Sequence, residues 1–227
     1  MKIENKQNDP IADTKLVDAY FRWALMAIAE MAGEPGLDSI LRSVGMDKFR
    51  QFYESNQLAP VSGLTFRDCA NVNAGALGYL GVGSTGYIYH SGRVSARHAM
   101  RMNGKIFSPP SRLVSGQMAP DEQLRASLET VLAGYRCIAE NAGQEYHGWL
   151  TETDTHFNYH LESCAVCAGK SSTEPICMFF TSSLMESIKW FTAQNYKVAE
   201  VECRAMNAPA CVWEVEKLPA GEDLTMI

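Results

Sequence analysis

Three cysteines and a glutamate near the end of the chain, Cys177, Glu200, Cys203 and Cys211, are the residues whose types and spacing suit chemistry best. Cys203 and Cys211 stand at the inner ends of "VAEVECRAMNAPACVWEV", a stretch that alternates polar and apolar residues like a β-hairpin. A disulfide, a metal ion and a pair of buried thiols all suit such a placement. Glu200 precedes Cys203 by three residues, and Cys177 opens a helical stretch able to pack behind the hairpin. Three thiolates and one carboxylate can close a tetrahedral shell of the kind structural zinc takes. Three small buried side chains and one solvated glutamate account for the same spacing, because ordinary domains do bury free cysteines. A second pair, Cys164 and Cys167, forms a C-x-x-C. It suits a redox couple, or a substitute for Cys177 and Glu200 as metal ligands beside Cys203 and Cys211, or one core thiol and one surface thiol. Cys69 and Cys137 lie in apolar helical contexts and read as inert.

Aromatic residues gather just upstream. In "HFNYHL", Phe157, Tyr159 and Leu161 face one way and His156, Asn158 and His160 the other. Trp149, Phe157 and Tyr159 are the expected walls of a site for a flat hydrophobic molecule, with His156 as its orienting polar group if a bulge turns that residue inward. His147, His156 and His160 are also candidates for axial coordination of a cofactor metal, although strand histidines are more often satisfied surface or core residues. No catalytic residue is expected: G-x-S-x-G, P-loop, H-E-x-x-H and dinucleotide patterns are all missing. "GYLGVGSTG" has G-x-G spacing but follows a helix instead of a strand, which argues against a phosphate cradle.

The elements that must hold these residues follow from periodicity. "DTKLVDAYFRWALMAIAEMAGEPG" reads as a helix over 16–31, capped by Asp13 or Thr14 and stopped by "GEPG". It is apolar nearly all round, so it is either central to the core or part of a homodimer interface, and a homodimer is expected. Shorter helices follow at "LDSILRSVG" and "KFRQFYESN", then helices at "TFRDCANVNAGALGYLG" and "SGRVSARHAMRM". "KIFSPPSRLVSGQMAP" reads as a loop, and Pro120 and Asp121 open a helix that Gly143 ends. After Gly143 come two antiparallel strands turning near "TETD", a helix at "ICMFFTSSLMESIKWFTAQN", and the hairpin with its turn at "MNAP". The predicted fold is α+β: N-terminal helices followed by an antiparallel sheet packed against helices, closed by a C-terminal hairpin. The expected division is a flexible 1–14, a helical part at 15–142, an α+β part at 143–218 and a tail at 219–227.

At 227 residues, 46% hydrophobic and 20% charged, the chain can bury a full core. Its formal net charge of -6 argues against a nucleic-acid surface. Its polar opening "MKIENKQNDPIADTK" reads as no secretory leader, and no apolar run is long enough for a membrane span. A cytoplasmic protein is the expectation, and cytosolic reduction then disfavours disulfides among the seven cysteines.

The stretch from about Glu145 to Lys217 resembles the 4-vinyl reductase domain family, a small-molecule-binding domain related in fold to transport-particle subunits. The residues that carry the resemblance are "HLESCAVC", "PICMFFTSSLMESIKWF" and "VAEVECRAMNAPACVWEV", with weaker likeness in "GALGYLGVGSTGYIYHSGR". The family's ending is a glutamate, two residues, a cysteine, a short turn and a cysteine before an alternating strand. Glu200, Cys203 and Cys211 stand in that order. Aromatic-sensing members bind zinc through such a set, and Cys177 falls where their first cysteine would, so the resemblance implies a structural zinc on Cys177, Glu200, Cys203 and Cys211. "MNAPA" departs from the glycine that many members carry in this turn. The resemblance further implies a binding or carrier domain for a hydrophobic small molecule, with a tetrapyrrole of chlorophyll type as leading ligand, in pigment metabolism or photosystem assembly. A chlorophyllide vinyl reductase or its subunit, and an aromatic-ligand or redox sensor, are the alternatives.

Overall fold

In the computed structural model, residues 2–54, 57–80, 85–114 and 118–219 are described. Strand β1 (Ile3–Asn5) leads to a long helix α1 (Asp18–Ser43), a 3-10 turn (Asp47–Glu54), and helices α2 (Phe66–Leu80), α3 (Thr85–Met102), α4 (Ser111–Val114) and α5 (Pro120–Asn141). Then follow β2 (Gly148–Glu152), β3 (His156–Leu161), β4 (Lys170–Ser172), α6 (Met178–Thr192), β5 (Tyr196–Glu202) and β6 (Cys211–Pro219). The main sheet is antiparallel throughout, in the order β2-β3-β6-β5. The α+β expectation therefore holds.

The sheet's inner face is made by strand alternation. Phe157, Tyr159 and Leu161 of β3, Val198 of β5, and Trp213 and Val215 of β6 are buried against α5 and α6. Adjacent strands present these residues in register, with Tyr159 opposite Trp213 and Phe157 opposite Val215. The Trp213 indole N–H donates to Thr181 Oγ1 at 2.9 Å, which fixes α6 across the sheet without leaving a buried donor unpaired. Behind α6 lies α3. Gly92 makes this approach possible, because a Cβ there would sit 2.0 Å from Ser182 Oγ and 2.1 Å from the Phe179 carbonyl oxygen.

Several expectations need correction. The helix expected over 16–31 starts instead at Asp18, with Val17 as a cap that offers no side-chain bond. Asp13 and Thr14 are not caps, because they lie in a turn ahead of Lys15, which bridges Thr65 antiparallel: the Leu16 N–H donates to the Leu64 carbonyl, and the Phe66 N–H to that of Thr14. Gly33 (φ 70°) breaks the helix where "GEPG" predicted, and Pro35 restarts it at once, so the "LDSILRSVG" helix continues from the same element. "KFRQFYESN" forms the 3-10 turn. The short strands β1 and β4 were missed. They pair with each other through Ile3–Ser172, Glu4–Ser171 and Asn5–Lys170. Residues 1–14 are thus not a loose lead where they are described. Residues 81–84 of "GYLGVGSTG" and the tail from 220 lie outside the described residues.

The premise for a homodimer also falls. Phe21, Trp23, Leu25 and Ile28 of α1 are buried within the chain itself, under α2, α3 and α5. Its all-round apolarity marks a central helix.

Candidate functional site

Five of the seven cysteines converge at the N-terminus of α6: Cys164, Cys167, Cys177, Cys203 and Cys211 are all buried. Cys177 sits immediately before the first turn of α6, Cys211 opens β6, and Cys164 and Cys167 lie on the loop between β3 and β4. The ligand atoms of Cys177, Glu200, Cys203 and Cys211 all lie within 4.8 Å of one another. The Cys177 sulfur stands 3.8 Å from that of Cys203 and 3.9 Å from that of Cys211. A tetrahedron with metal–sulfur bonds of about 2.3 Å has edges of about 3.8 Å.

A break in strand pairing puts Glu200 and Cys203 on the same face. Tyr196, Val198 and Glu200 alternate inward, so an unbroken strand would aim Glu202 inward and Cys203 out. The pairing of β5 with β6 shifts between Glu200 and Glu202, where Glu200 faces Trp213 and Glu202 faces Val212. That one-residue irregularity restores Cys203 to the inside. Asn207 then takes the left-handed conformation (φ 69°, ψ 16°) in the turn. Asparagine tolerates this region better than other side chains, which explains how the turn closes without the family's glycine. The Arg204 N–H donates to Cys211 Sγ at 3.4 Å.

Glu200 is held at one oxygen and open at the other. Its Oε2 accepts from the Cys177 N–H at 2.9 Å, while buried Oε1 has no partner among the described residues. Burial, followed by the charge of neighbouring thiols, pushes the Glu200 carboxyl up to about 9. Burial likewise pushes the Cys177 thiol well above its ordinary range. A dication would favour the anionic forms of Glu200 and Cys177 and fill the gap at Oε1. The donor set and its spacing fit zinc.

A cavity of about 110 Å³ opens beside this cluster. Its walls include Tyr20 and Trp23 from α1, Tyr135 from α5, Tyr146, and Phe179 and Phe180 from α6, with Cys164 at the border between cavity and thiols. The Tyr20 hydroxyl and the Trp23 indole N–H are buried without a hydrogen-bond partner among the described residues. Burial raises the Tyr20 hydroxyl well above the usual phenol range, so it stays a neutral donor. Cys69 also borders the cavity, and burial pushes its thiol up to about 12, in keeping with an inert residue.

The four residues expected to bind ligand are not brought together here. Phe157 and Tyr159 are core residues, 1% and 0% exposed, and neither lines the cavity. Trp149 pairs opposite His160 on the outer face of the sheet and stacks on it at 4.8 Å between ring centres. His156 shares that outer face and contacts Thr155 Oγ1 at 2.8 Å. The reason is alternation: Trp149 and His156 fall on the opposite parity from Tyr159 and Phe157, and β3 has no bulge to mix them. His147 is exposed beside Glu145, and no histidine lines the cavity. Tyr20, Trp23 and Tyr135 were missed as site residues because their helical periodicity reads as plain core. Of the three, Tyr20 and Trp23 are set apart by donors left unpaired among the described residues.

Residues 157–217 match the family model of the 4-vinyl reductase domain. No curated protein matches the chain. Among solved structures, an oxygen-binding H-NOX domain related to soluble guanylate cyclases, in its oxygen complex, aligns with a TM-score of 0.56 at 13% identity, covering 90% of this chain and 96% of that one. A mutant of the T. tengcongensis H-NOX aligns with a TM-score of 0.53 at 16% identity, covering 89% and 99%. An H-NOX structure from work on the function of heme distortion in that family aligns at 0.53 and 15% identity, covering 91% and 98%. At these identities the likeness is one of fold.

Proposed function

We propose that this chain, which carries a 4-vinyl reductase domain at residues 157–217, binds a small apolar molecule with one compact ring and a hydrogen-bond acceptor, beside a structural zinc. The observation that carries the reading is the pair of donors unpaired among the described residues, on Tyr20 and Trp23, in the wall of a cavity otherwise lined mainly by apolar and aromatic side chains. An unpaired buried donor costs about 1–3 kcal/mol. A ligand acceptor reaching both would recover part of that cost, while Tyr135, Phe179 and Phe180 cover the ring.

Volume sets the size class. A dry cavity of about 150 Å³ holds a benzene in an engineered protein, so about 110 Å³ suits a compact ring after small side-chain shifts. A tetrapyrrole is the second reading, favoured by the fold shared with H-NOX domains, one of them described through its heme distortion. It would require α1 and α5 to part from α6. The zinc, on Cys177, Glu200, Cys203 and Cys211, pins the hairpin to the start of α6, and its binding energy is also folding energy. Because Cys164, Ala165 and Val166 line the cavity, a bound molecule would press on the loop that leads into the thiol cluster. That path suits a sensor as well as a carrier.

Calorimetric titration of the purified chain with a phenolic or ketone-bearing ring, against heme as comparator, tests the reading. Saturable one-to-one binding of the small ring, weakened about tenfold in Trp23→Phe with zinc content unchanged, is the expected result; the factor corresponds to one hydrogen bond of about 1.4 kcal/mol. Binding of heme alone would move the reading to the tetrapyrrole. Binding of neither would overturn it.

A further inference from the structure

The zinc set uses four of six converging ligands. The other two, Cys164 and Cys167, form a second tetrad with Cys177 and Cys211, whose four sulfurs again lie within 4.8 Å of one another. The Cys164 sulfur stands 3.6 Å from that of Cys177, and the Cys167 sulfur 3.5 Å from that of Cys211. The two tetrads share one edge, Cys177 to Cys211, 3.9 Å long. The four sulfur–sulfur distances of 3.5, 3.6, 3.8 and 3.9 Å lie near the roughly 3.8 Å edge of a tetrahedral thiolate site. They far exceed the sulfur–sulfur bond of about 2.05 Å in a disulfide, and all five cysteines are free.

We propose that the chain holds two tetrahedral metal ions of the zinc type, bridged by the sulfurs of Cys177 and Cys211. Cys164 and Cys167 complete one ion's shell; Glu200 and Cys203 complete the other's. This rests on the zinc reading above and extends it by a second ion and two bridging thiolates. Six anionic ligands around two dications leave a net charge of two negative. The Arg204 N–H at Cys211 Sγ, with the Arg204 guanidinium held nearby by Asp9, offsets part of it.

The surrounding fold serves a cluster spread over three segments. Leu161 pairs directly with Cys211, so the C-x-x-C loop leaves the sheet beside the bridging sulfur. Buried Asn73 of α2 donates from Nδ2 to the Val166 carbonyl at 3.4 Å and to the Ile176 carbonyl at 3.3 Å. One side chain thus clamps the loop of Cys164 and Cys167 to the residue before Cys177. A single ion would leave Cys164 and Cys167 as two wholly buried thiols touching sulfurs already in use. A second ion gives each of them a partner.

Metal and sulfide analysis of the full chain, with cadmium NMR of the cadmium-loaded protein, decides the matter. Two zinc ions per chain and two cadmium resonances coupled through the shared sulfurs are expected. Cys164→Ser combined with Cys167→Ser should halve the zinc to one ion. If that variant does not fold, the native stoichiometry and the coupled resonances still decide. One zinc in the native chain, unchanged by the double substitution, overturns the second ion and leaves the first standing. A chain that folds without zinc overturns both. One ion lost with Cys164 and Cys167 but kept in Cys203→Ser moves the metal to the other tetrad and overturns the bridge, as does iron with acid-labile sulfide.

Discussion

Glu200 shows how much one buried carboxyl decides. One oxygen accepts from the Cys177 N–H and the other, buried, has no partner among the described residues. A neutral amide of the same shape could keep the first contact but would bring no charge to a cation. Glu200→Gln should therefore lower zinc affinity by about 10- to 100-fold while the chain still folds in excess zinc, read by competition with a chelator. Unchanged affinity would remove Glu200 from the ligand set. At the cavity, Trp23 has the same diagnostic form: a donor-only group with no acceptor among the described residues.

At the scale of elements, the site depends on two departures from regularity. The shift in β5–β6 pairing brings Glu200 and Cys203 to one face, and the left-handed Asn207 closes the turn between the cysteines. The close crossing of α3 over α6 depends on Gly92, where an added methyl has no room against Ser182 and the Phe179 carbonyl. Because α6 carries Cys177 at its start and Phe179 and Phe180 on the cavity wall, displacing it disturbs both sites. Gly92→Ala should cost about 1–3 kcal/mol in denaturant unfolding and weaken ring binding together. A neutral effect would show that the crossing can open without loss.

Across the whole molecule, the N-terminal segment is tied to the hairpin of Cys203 and Cys211 by Asp9. Its carboxylate meets the Arg204 guanidinium at 2.8 Å and accepts from the Gly169 N–H at 2.8 Å, with the two ionic side chains 5% and 13% exposed. Burial alone would raise this carboxyl, but Arg204 and the Gly169 N–H outweigh it and hold Asp9 below the ordinary aspartate range. A depressed carboxyl stabilises the folded state fully above its unfolded value of about 3.9, and that contribution is lost as pH falls through the folded value. Asp9→Ala should cost about 3 kcal/mol near neutral pH, the gap to the native chain narrowing below about pH 4. Equal gaps at pH 7 and pH 3 would count against the ion pair.

What the sequence determined by itself rested on short-range pattern. Period-two alternation placed β3 and the final hairpin, and turn and cap residues bounded α5. The spacing of Glu200, Cys203 and Cys211 named a candidate metal set, because ligands on one hairpin are neighbours in sequence as in space. Only tertiary structure decided the rest. The pair β1–β4 joins residues more than 160 positions apart, and three-residue strands carry too few side chains to show a period. Cys164 and Cys167 meet Cys177 and Cys211 through a loop path that no periodicity encodes. The cavity belongs to side chains from α1, α5 and α6, each of which reads in sequence as ordinary core. A buried donor is recognised as unpaired only when every neighbour is in place, since satisfaction of a polar group is a property of the packed interior and not of the residue.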